Sequence, residues 1–121
     1  MGWQSYFPWS DNGRCPAVDF IDDLDPKQDQ VYVERLLDQL KAKGNELLPP
    51  HVKNLGGGIY ELRVQTINLR VRLFYFFYDK NQIIITNGTK KKKPRVPHEI
   101  ELARKYRKLY YERVKNEIWR L

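Results

Sequence analysis

The sequence contains one cysteine, two histidines and one methionine among 121 residues. Because Cys15 has no second cysteine to pair with, no disulfide can form within the chain, which is typical of a protein in a reducing cytoplasm. The longest apolar run, residues 73–78, is far too short to cross a bilayer. The N-terminus also lacks the basic start and apolar core of a signal peptide. We therefore expect a soluble cytoplasmic protein that does not enter a membrane.

The motifs of several large enzyme classes are missing as well. The sequence has no P-loop, no Gly-x-Gly-x-x-Gly fingerprint, no Cys-x-x-Cys pair and no nucleophile elbow. His51 and His98 are not spaced as metal ligands. Both are interpreted as surface residues, with a part in catalysis as the alternative for either. No metal and no cofactor is predicted.

Positive charge is in excess, and it is unevenly distributed. The formal net charge is +7, but residues 1–60 hold 6 Lys and Arg against 9 Asp and Glu, whereas residues 61–121 hold 16 against 6. Clustered cations gain affinity for nucleic acids by releasing condensed counterions, so a phosphate-rich partner is favoured. The alternatives are an acidic protein partner, or neutralisation of the basic segments by the acidic ones.

The length and the hydrophobic content of 41% predict a single globular domain over residues 1–121. Residues 59–93 alternate polar and apolar side chains with the period of two that is typical of β-strands. If two of these strands form a hairpin that turns at residues 66–68, then Arg63, Arg70 and Arg72 share one open face of the sheet. Three convergent guanidiniums are expected to bind an anion.

Other elements flank this hairpin. Residues 3–9 predict an edge strand, and a first helix begins at Pro16. A second helix is predicted to begin with Asp25 as the cap and Pro26 in the first position. Residues 45–58 are rich in Pro and Gly and are predicted to be a loop.

The C-terminal part predicts one more strand and one more helix. Three consecutive isoleucines within residues 82–87 indicate a buried strand. A long helix is expected from about His98 to Trp119. The predicted inward face of this helix is formed by Leu102, Ala103, Tyr106, Leu109 and Tyr110.

Five motifs follow one another in a fixed order along the chain. They are Pro16 with Phe20, Ile21 and Leu24, the run 58–63, the run 72–77, the pair Lys91-Lys92, and the run 97–103. Their combination, over about residues 5 to 115, resembles the phage-derived HigB-type toxins of the RelE/ParE superfamily. The resemblance implies an α+β fold in which two N-terminal helices pack on a twisted antiparallel sheet of about four strands, with a long C-terminal helix.

The resemblance also implies a function. Such proteins are toxins of type II toxin-antitoxin systems, and many are endoribonucleases that cleave mRNA on the ribosome by metal-independent attack of a 2′-OH on the phosphate. The implied partners are mRNA, the ribosome and a helix-turn-helix antitoxin of the HigA type, with a heterotetramer as a possible assembly. The alternatives are a ParE-like gyrase inhibitor, and a nucleic-acid or antitoxin-binding module without activity. Fold alone does not separate these functions.

The resemblance assigns roles to individual residues. Arg72, and after it Arg63, would stabilise the charge on the phosphate, since a guanidinium can hold two oxygens at once. Lys91 and Lys92 would bind the RNA backbone, or act as acid or base if neighbouring cations lower their pKa; the alternative is a solvated loop. Glu61 would accept a proton, or else orient the arginines as an ion pair.

Further residues are predicted to bind RNA, and one position departs from the family pattern. The predicted RNA-binding residues are Arg70, Lys90, Lys93, Arg95 and Phe74. For Phe74 the choice lies between stacking on a base and burial in the core, whereas Phe76 is expected to be core. Asn87 stands where the family has a histidine. Because an amide cannot shuttle protons, Asn87 argues against a mechanism that uses a histidine at this position.

Overall fold

The computed structural model describes residues 4–6, 14–67, 69–79, 82–90 and 96–119, with side chains from residue 14 to residue 116 of these ranges. The fold is α+β, as predicted. Its elements are β1 (Gln4–Tyr6), α1 (Pro16–Asp22), α2 (Gln28–Lys43), a 3-10 turn (Gly44–Glu46), β2 (Val52–Gly56), β3 (Ile59–Gln65), β4 (Arg70–Tyr78), β5 (Gln82–Thr89) and α3 (Pro97–Trp119). Among the described residues, no helix is both long enough and apolar enough to span a membrane.

The strands form a single sheet in the order β1-β5-β4-β3-β2. Strands β2 to β5 are antiparallel, and β1 is parallel to β5 at the edge of the sheet. The N-terminal edge strand predicted over residues 3–9 is confirmed for residues 4–6, and the rest of that range lies outside the described residues. The prediction of a loop over residues 45–58 is wrong in its second half, because β2 occupies the other edge of the sheet. Strand β2 has a single buried residue, Val52, so its sequence shows no alternation of apolar and polar side chains.

Helices α1 and α2 cover one face of the sheet. Their apolar side chains, including Ala17, Ile21, Val33 and Leu40, form one core with the inward side chains of β3 and β4. Tyr75 is part of this core and Phe77 packs against it, as the alternation predicts. The predicted start of α2 is wrong: the helix begins at Gln28 after Lys27, and no side chain caps it.

Helix α3 covers part of the opposite face. The core on this side consists of Ile59, Phe74, Phe76, Ile84, Val96 and Ala103, with Ile100 and Tyr110 packed against it. Arg107 belongs to the same helix face, and its guanidinium lies 4.9 Å from the centre of the Tyr111 ring. The predicted inward face of α3 is therefore rotated, because Leu102, Tyr106 and Leu109 are only half-buried. A guanidinium can stack on an aromatic ring, so an arginine can belong to the packed face of a helix. A pattern based on apolar residues alone therefore misplaces this face.

The turn between β2 and β3 is attached to α3. The guanidinium of Arg104 donates hydrogen bonds to the carbonyl oxygens of Gly56 (3.1 Å) and Leu55 (3.3 Å). Gly57 has a φ of 63°, and a Cβ at this position would lie 2.5 Å from Nη1 of Arg104. A positive φ of this size favours glycine, because side chains with a Cβ rarely adopt it. The start of β3 is thereby held against α3.

Candidate functional site

Two arginines face each other across the central hairpin. Arg63 on β3 is the direct antiparallel partner of Arg72 on β4, and Gln65 is the partner of Arg70. Side chains alternate along a strand, so the three arginines lie on one face of the sheet, as predicted. Directly opposed side chains in an antiparallel pair have Cβ atoms about 5 Å apart, and like charges at this spacing repel each other. A compensating group is therefore needed.

Glu61 supplies the compensating charge from beneath the two arginines. Its side chain is 4% exposed, and its Oε1 accepts a hydrogen bond from Nε of Arg63 at 2.8 Å and lies 3.9 Å from Nε of Arg72. One carboxylate oxygen is thus hydrogen-bonded to Nε of Arg63 and forms a longer ion pair with Nε of Arg72. The outer Nη groups of Arg63 and Arg72 make no hydrogen bond or ion pair with any residue in the described ranges. The geometry leaves these Nη donors available for a phosphate.

Asn87 is the β5 partner of Phe74 and lies where α3 covers the sheet, next to the arginine pair. Its amide nitrogen donates to the carbonyl oxygen of Glu99 in the first turn of α3 (3.1 Å), and its Oδ1 accepts from Oγ1 of Thr86 (2.7 Å). The residue is 4% exposed. An asparagine here ties β5 to α3 because its amide offers both a donor and an acceptor. Asn87 is a structural link between the sheet and the helix.

A cavity of about 990 Å³ opens at the end of the hairpin. Strand β2 pairs with β3 only as far as Val52 opposite Leu62, so the last residues of β3 lie at the edge of the sheet. The lining residues are Tyr32, Arg35, Leu36 and Gln39 of α2, Pro50, His51 and Lys53 near the start of β2, and Arg63, Val64, Gln65, Arg70, Val71 and Arg72 of the hairpin. Five of these residues are cationic, and none of those described is acidic. The cavity is therefore suited to a polyanion.

Several of these lining residues were not predicted from the sequence. His51 is exposed, as predicted, but its place in the cavity lining was not predicted. Its carbonyl oxygen accepts a hydrogen bond from the backbone N–H of Arg63 at 2.7 Å. Lys53 and the α2 residues come from segments far from the hairpin in sequence. A clue to α2 was available, because Tyr32, Arg35 and Gln39 lie on one side of the helix at spacings of three and four.

Of the other predicted site residues, two are at the surface, one is buried in the core and four lie outside the described residues. Arg70 lines the cavity, and Lys90 is exposed directly after Thr89, the β5 partner of Arg72. The proposed stacking role of Phe74 is corrected, because its side chain is 0% exposed and packs in the core beneath α3. The predicted residues Lys91, Lys92, Lys93 and Arg95 lie outside the described residues.

Comparison with known proteins adds independent information about the family. Residues 19–108 match the family described as Phage derived protein Gp49-like (DUF891). This segment is most of the chain and includes the arginine pair and the first half of α3. No curated protein matches the chain. The chain therefore belongs to the phage-derived Gp49-like family, which is of the HigB/RelE-like toxin type.

Proposed function

We propose that this protein is the toxin of a type II toxin-antitoxin system and an endoribonuclease that cleaves mRNA on the ribosome. The observation that carries the proposal is the direct pairing of Arg63 with Arg72 in a cavity with five cationic lining residues. The partner that inhibits it would be a helix-turn-helix antitoxin of the HigA type, bound in a cytoplasmic heterotetramer. The family match is compatible with a toxin of the toxin-antitoxin type and supports the first part of the proposal, that the protein is a toxin.

In the proposed reaction the 2′-oxygen forms a bond to phosphorus while the bond to the 5′-oxygen breaks. The products are a 2′,3′-cyclic phosphate and a 5′-OH, and the proton lost by the 2′-OH is balanced by one delivered to the 5′-oxygen. Negative charge develops on the non-bridging oxygens of the phosphate. Arg72 is the proposed donor to this charge, with Arg63 beside it, and a donor in such a position contributes about 3 to 4 kcal/mol.

The proton transfers need groups other than the arginines. His51 is the proposed general base or acid, because it is an exposed residue that lines the same cavity and its carbonyl oxygen is hydrogen-bonded to the backbone N–H of Arg63. Histidine is the side chain that most often transfers protons in catalysis. Glu61 is proposed as a positioning residue, since its Oε1 is already bonded to Arg63. Lys91 and Lys92 remain proposed contacts to the RNA backbone.

The test is primer extension on an mRNA that is being translated in the presence of the protein. Arg72→Ala is expected to lower the rate of cleavage by about 100-fold to 1,000-fold. Arg72→Lys is expected to recover little of this rate, because an ammonium group cannot form the paired hydrogen bonds of a guanidinium. Arg14→Ala is the matched control: its side chain is 71% exposed outside the cavity, and the rate should not change.

Other results would contradict the proposal. Intact mRNA together with inhibited DNA supercoiling would support a gyrase inhibitor. Binding of RNA without new 5′ ends would support a binding module. For the proton transfers, His51→Gln should lower the rate of cleavage by about 100-fold or more and leave the affinity for RNA unchanged, whereas Glu61→Gln should lower both the rate and the affinity, because it releases Arg63. Wild-type cleavage by His51→Gln would rule out His51 as the base or acid.

A further inference from the structure

One wall of the cavity is formed by α2 and takes no part in the reaction proposed above. Tyr32, Arg35 and Gln39 line this wall from one side of the helix. The other side of α2 is held in the core by buried side chains such as Val33, Leu37 and Leu40. A helix anchored in this way presents its outer residues at a fixed position. The α2 wall is therefore a preformed part of the cavity.

Tyr32 is the only Phe, Tyr or Trp among the described residues that line the cavity, and 36% of its surface is exposed. Single exposed aromatic residues are ordinary on protein surfaces. Tyr32, however, lines the same cavity as Arg35, Lys53 and the three hairpin arginines. Helix α2 packs on the face of the sheet opposite to the arginines, so this cavity joins the two faces around the edge of β3 that β2 leaves unpaired. Cations that contact phosphates and an aromatic face that contacts bases are the two components of single-strand nucleic acid sites.

We infer that Tyr32 stacks on an unpaired base of the RNA whose phosphate is held by Arg63 and Arg72. This inference rests on the proposed function and adds to it the requirement that the RNA is single-stranded at the α2 wall. Base faces in a duplex are already stacked on their neighbours, so a duplex offers no face to the ring. The hairpin then binds phosphates, and α2 binds a base. Arg35 and Gln39 lie beside Tyr32 and are placed to donate to the adjoining nucleotide.

The inference is tested by the binding of a short single-stranded oligonucleotide whose 2′-O-methyl groups prevent cleavage, measured by fluorescence anisotropy. Tyr32→Ala is expected to raise the Kd about tenfold, since a base on an aromatic ring contributes this much or more. Tyr32→Phe keeps the ring and should bind within about twofold of the wild type. Tyr111→Ala is the matched control, because Tyr111 is 40% exposed on α3, outside the cavity. A fully paired duplex should bind equally to the wild type and to Tyr32→Ala.

A series of oligonucleotides that each lack one base separates stacking from an indirect effect. In the wild type, one abasic position should raise the Kd about tenfold, and in Tyr32→Ala the same position should cause no further loss. Independent, additive losses would overturn the inference, as would wild-type affinity in Tyr32→Ala. If Arg63→Ala and Arg72→Ala lose binding while Tyr32→Ala does not, only the stacking role fails. If neither arginine matters for binding or cleavage, the proposed function itself fails.

Discussion

The face of the β3–β4 ladder that carries the arginines has two halves with opposite environments. In the half beneath α3, Ile59, Phe74 and Phe76 are fully buried. In the half beyond α3, Arg63 and Arg70 are exposed and line a cavity. The two halves belong to the same two strands and the same alternation, so the strands alone do not determine the environment. The candidate site lies where α3 no longer covers the sheet.

The boundary between the two halves consists of buried polar side chains that are bonded on both sides. Glu61 is paired with Phe74 in the ladder and bonds to Arg63, and Asn87 links the sheet to α3. Buried polar groups persist in proteins only when they are hydrogen-bonded, because an unsatisfied group costs about 1 to 3 kcal/mol. The boundary thus fixes the arginines without exposing the core. Two predictions test this comparison, and a third tests the core on the other face of the sheet.

The largest effect is expected from truncation of the covered half. Phe76→Ala should lower the free energy of unfolding by about 3 to 5 kcal/mol, because it leaves a cavity between the sheet and α3. Arg70→Ala changes the same face of the same strand, but in the open half, and should alter stability by no more than about 0.5 kcal/mol. Urea denaturation measures both values. Similar losses in the two variants would mean that the open half is also packed.

A smaller loss is expected at the boundary. Asn87→Ala removes the side-chain hydrogen bonds to Glu99 and from Thr86. The free energy of unfolding should fall by about 1 to 3 kcal/mol. Below the melting temperature, the rate of RNA cleavage by this variant should equal that of the wild type. A folded variant without activity would instead give Asn87 a part in the chemistry.

The smallest effect is a dependence on pH in the core beneath α1 and α2. Burial, and after it the charge of Tyr60, raises the pKa of Tyr75 above its ordinary value of about 10. Well below pH 10 the phenol is neutral in both the folded and the unfolded state, so its ionisation does not make the free energy of unfolding depend on pH. At higher pH the Tyr75 phenol ionises in the unfolded chain before it ionises in the folded protein. The free energy of unfolding therefore falls progressively as pH rises towards the folded-state pKa.

This effect can be measured by comparing the wild type with Tyr75→Phe, which removes only the ionisable hydroxyl. Between pH 8 and pH 10.5 the free energy of unfolding of the wild type should fall by about 0.8 kcal/mol relative to that of the variant. Parallel pH curves for the two proteins would show that Tyr75 ionises equally in the folded and unfolded states, and would contradict its burial.

Local patterns predicted much of the fold. The hairpin and the common face of Arg63 and Arg72 followed from a period of two, because neighbouring side chains on a strand must point to opposite faces. Strand β2 was not predicted, since a five-residue edge strand with one buried side chain carries no alternation. The start of α2 was misplaced because Asp25 and Pro26 resemble a capped helix start that the tertiary structure does not use.

The candidate site was predictable only in its strand half. Arg63, Arg70 and Arg72 are close in sequence, and turn geometry determines how they pair. The cavity also contains residues from segments that are distant in sequence, namely His51, Lys53 and Tyr32. A local hydrophobic period carries no information about contacts between such segments. Phe74 shows the same limit: alternation placed it correctly on the arginine face, but only the position of α3 decided that it is buried.

The sequence by itself determined which side chains share a face, because backbone geometry fixes the alternation along a strand and the stripe along a helix. Tertiary structure alone decided which part of each face meets solvent. That depends on where α3 crosses the sheet, where β2 stops pairing and how close α2 lies. These are properties of packing between segments that are far apart in the chain.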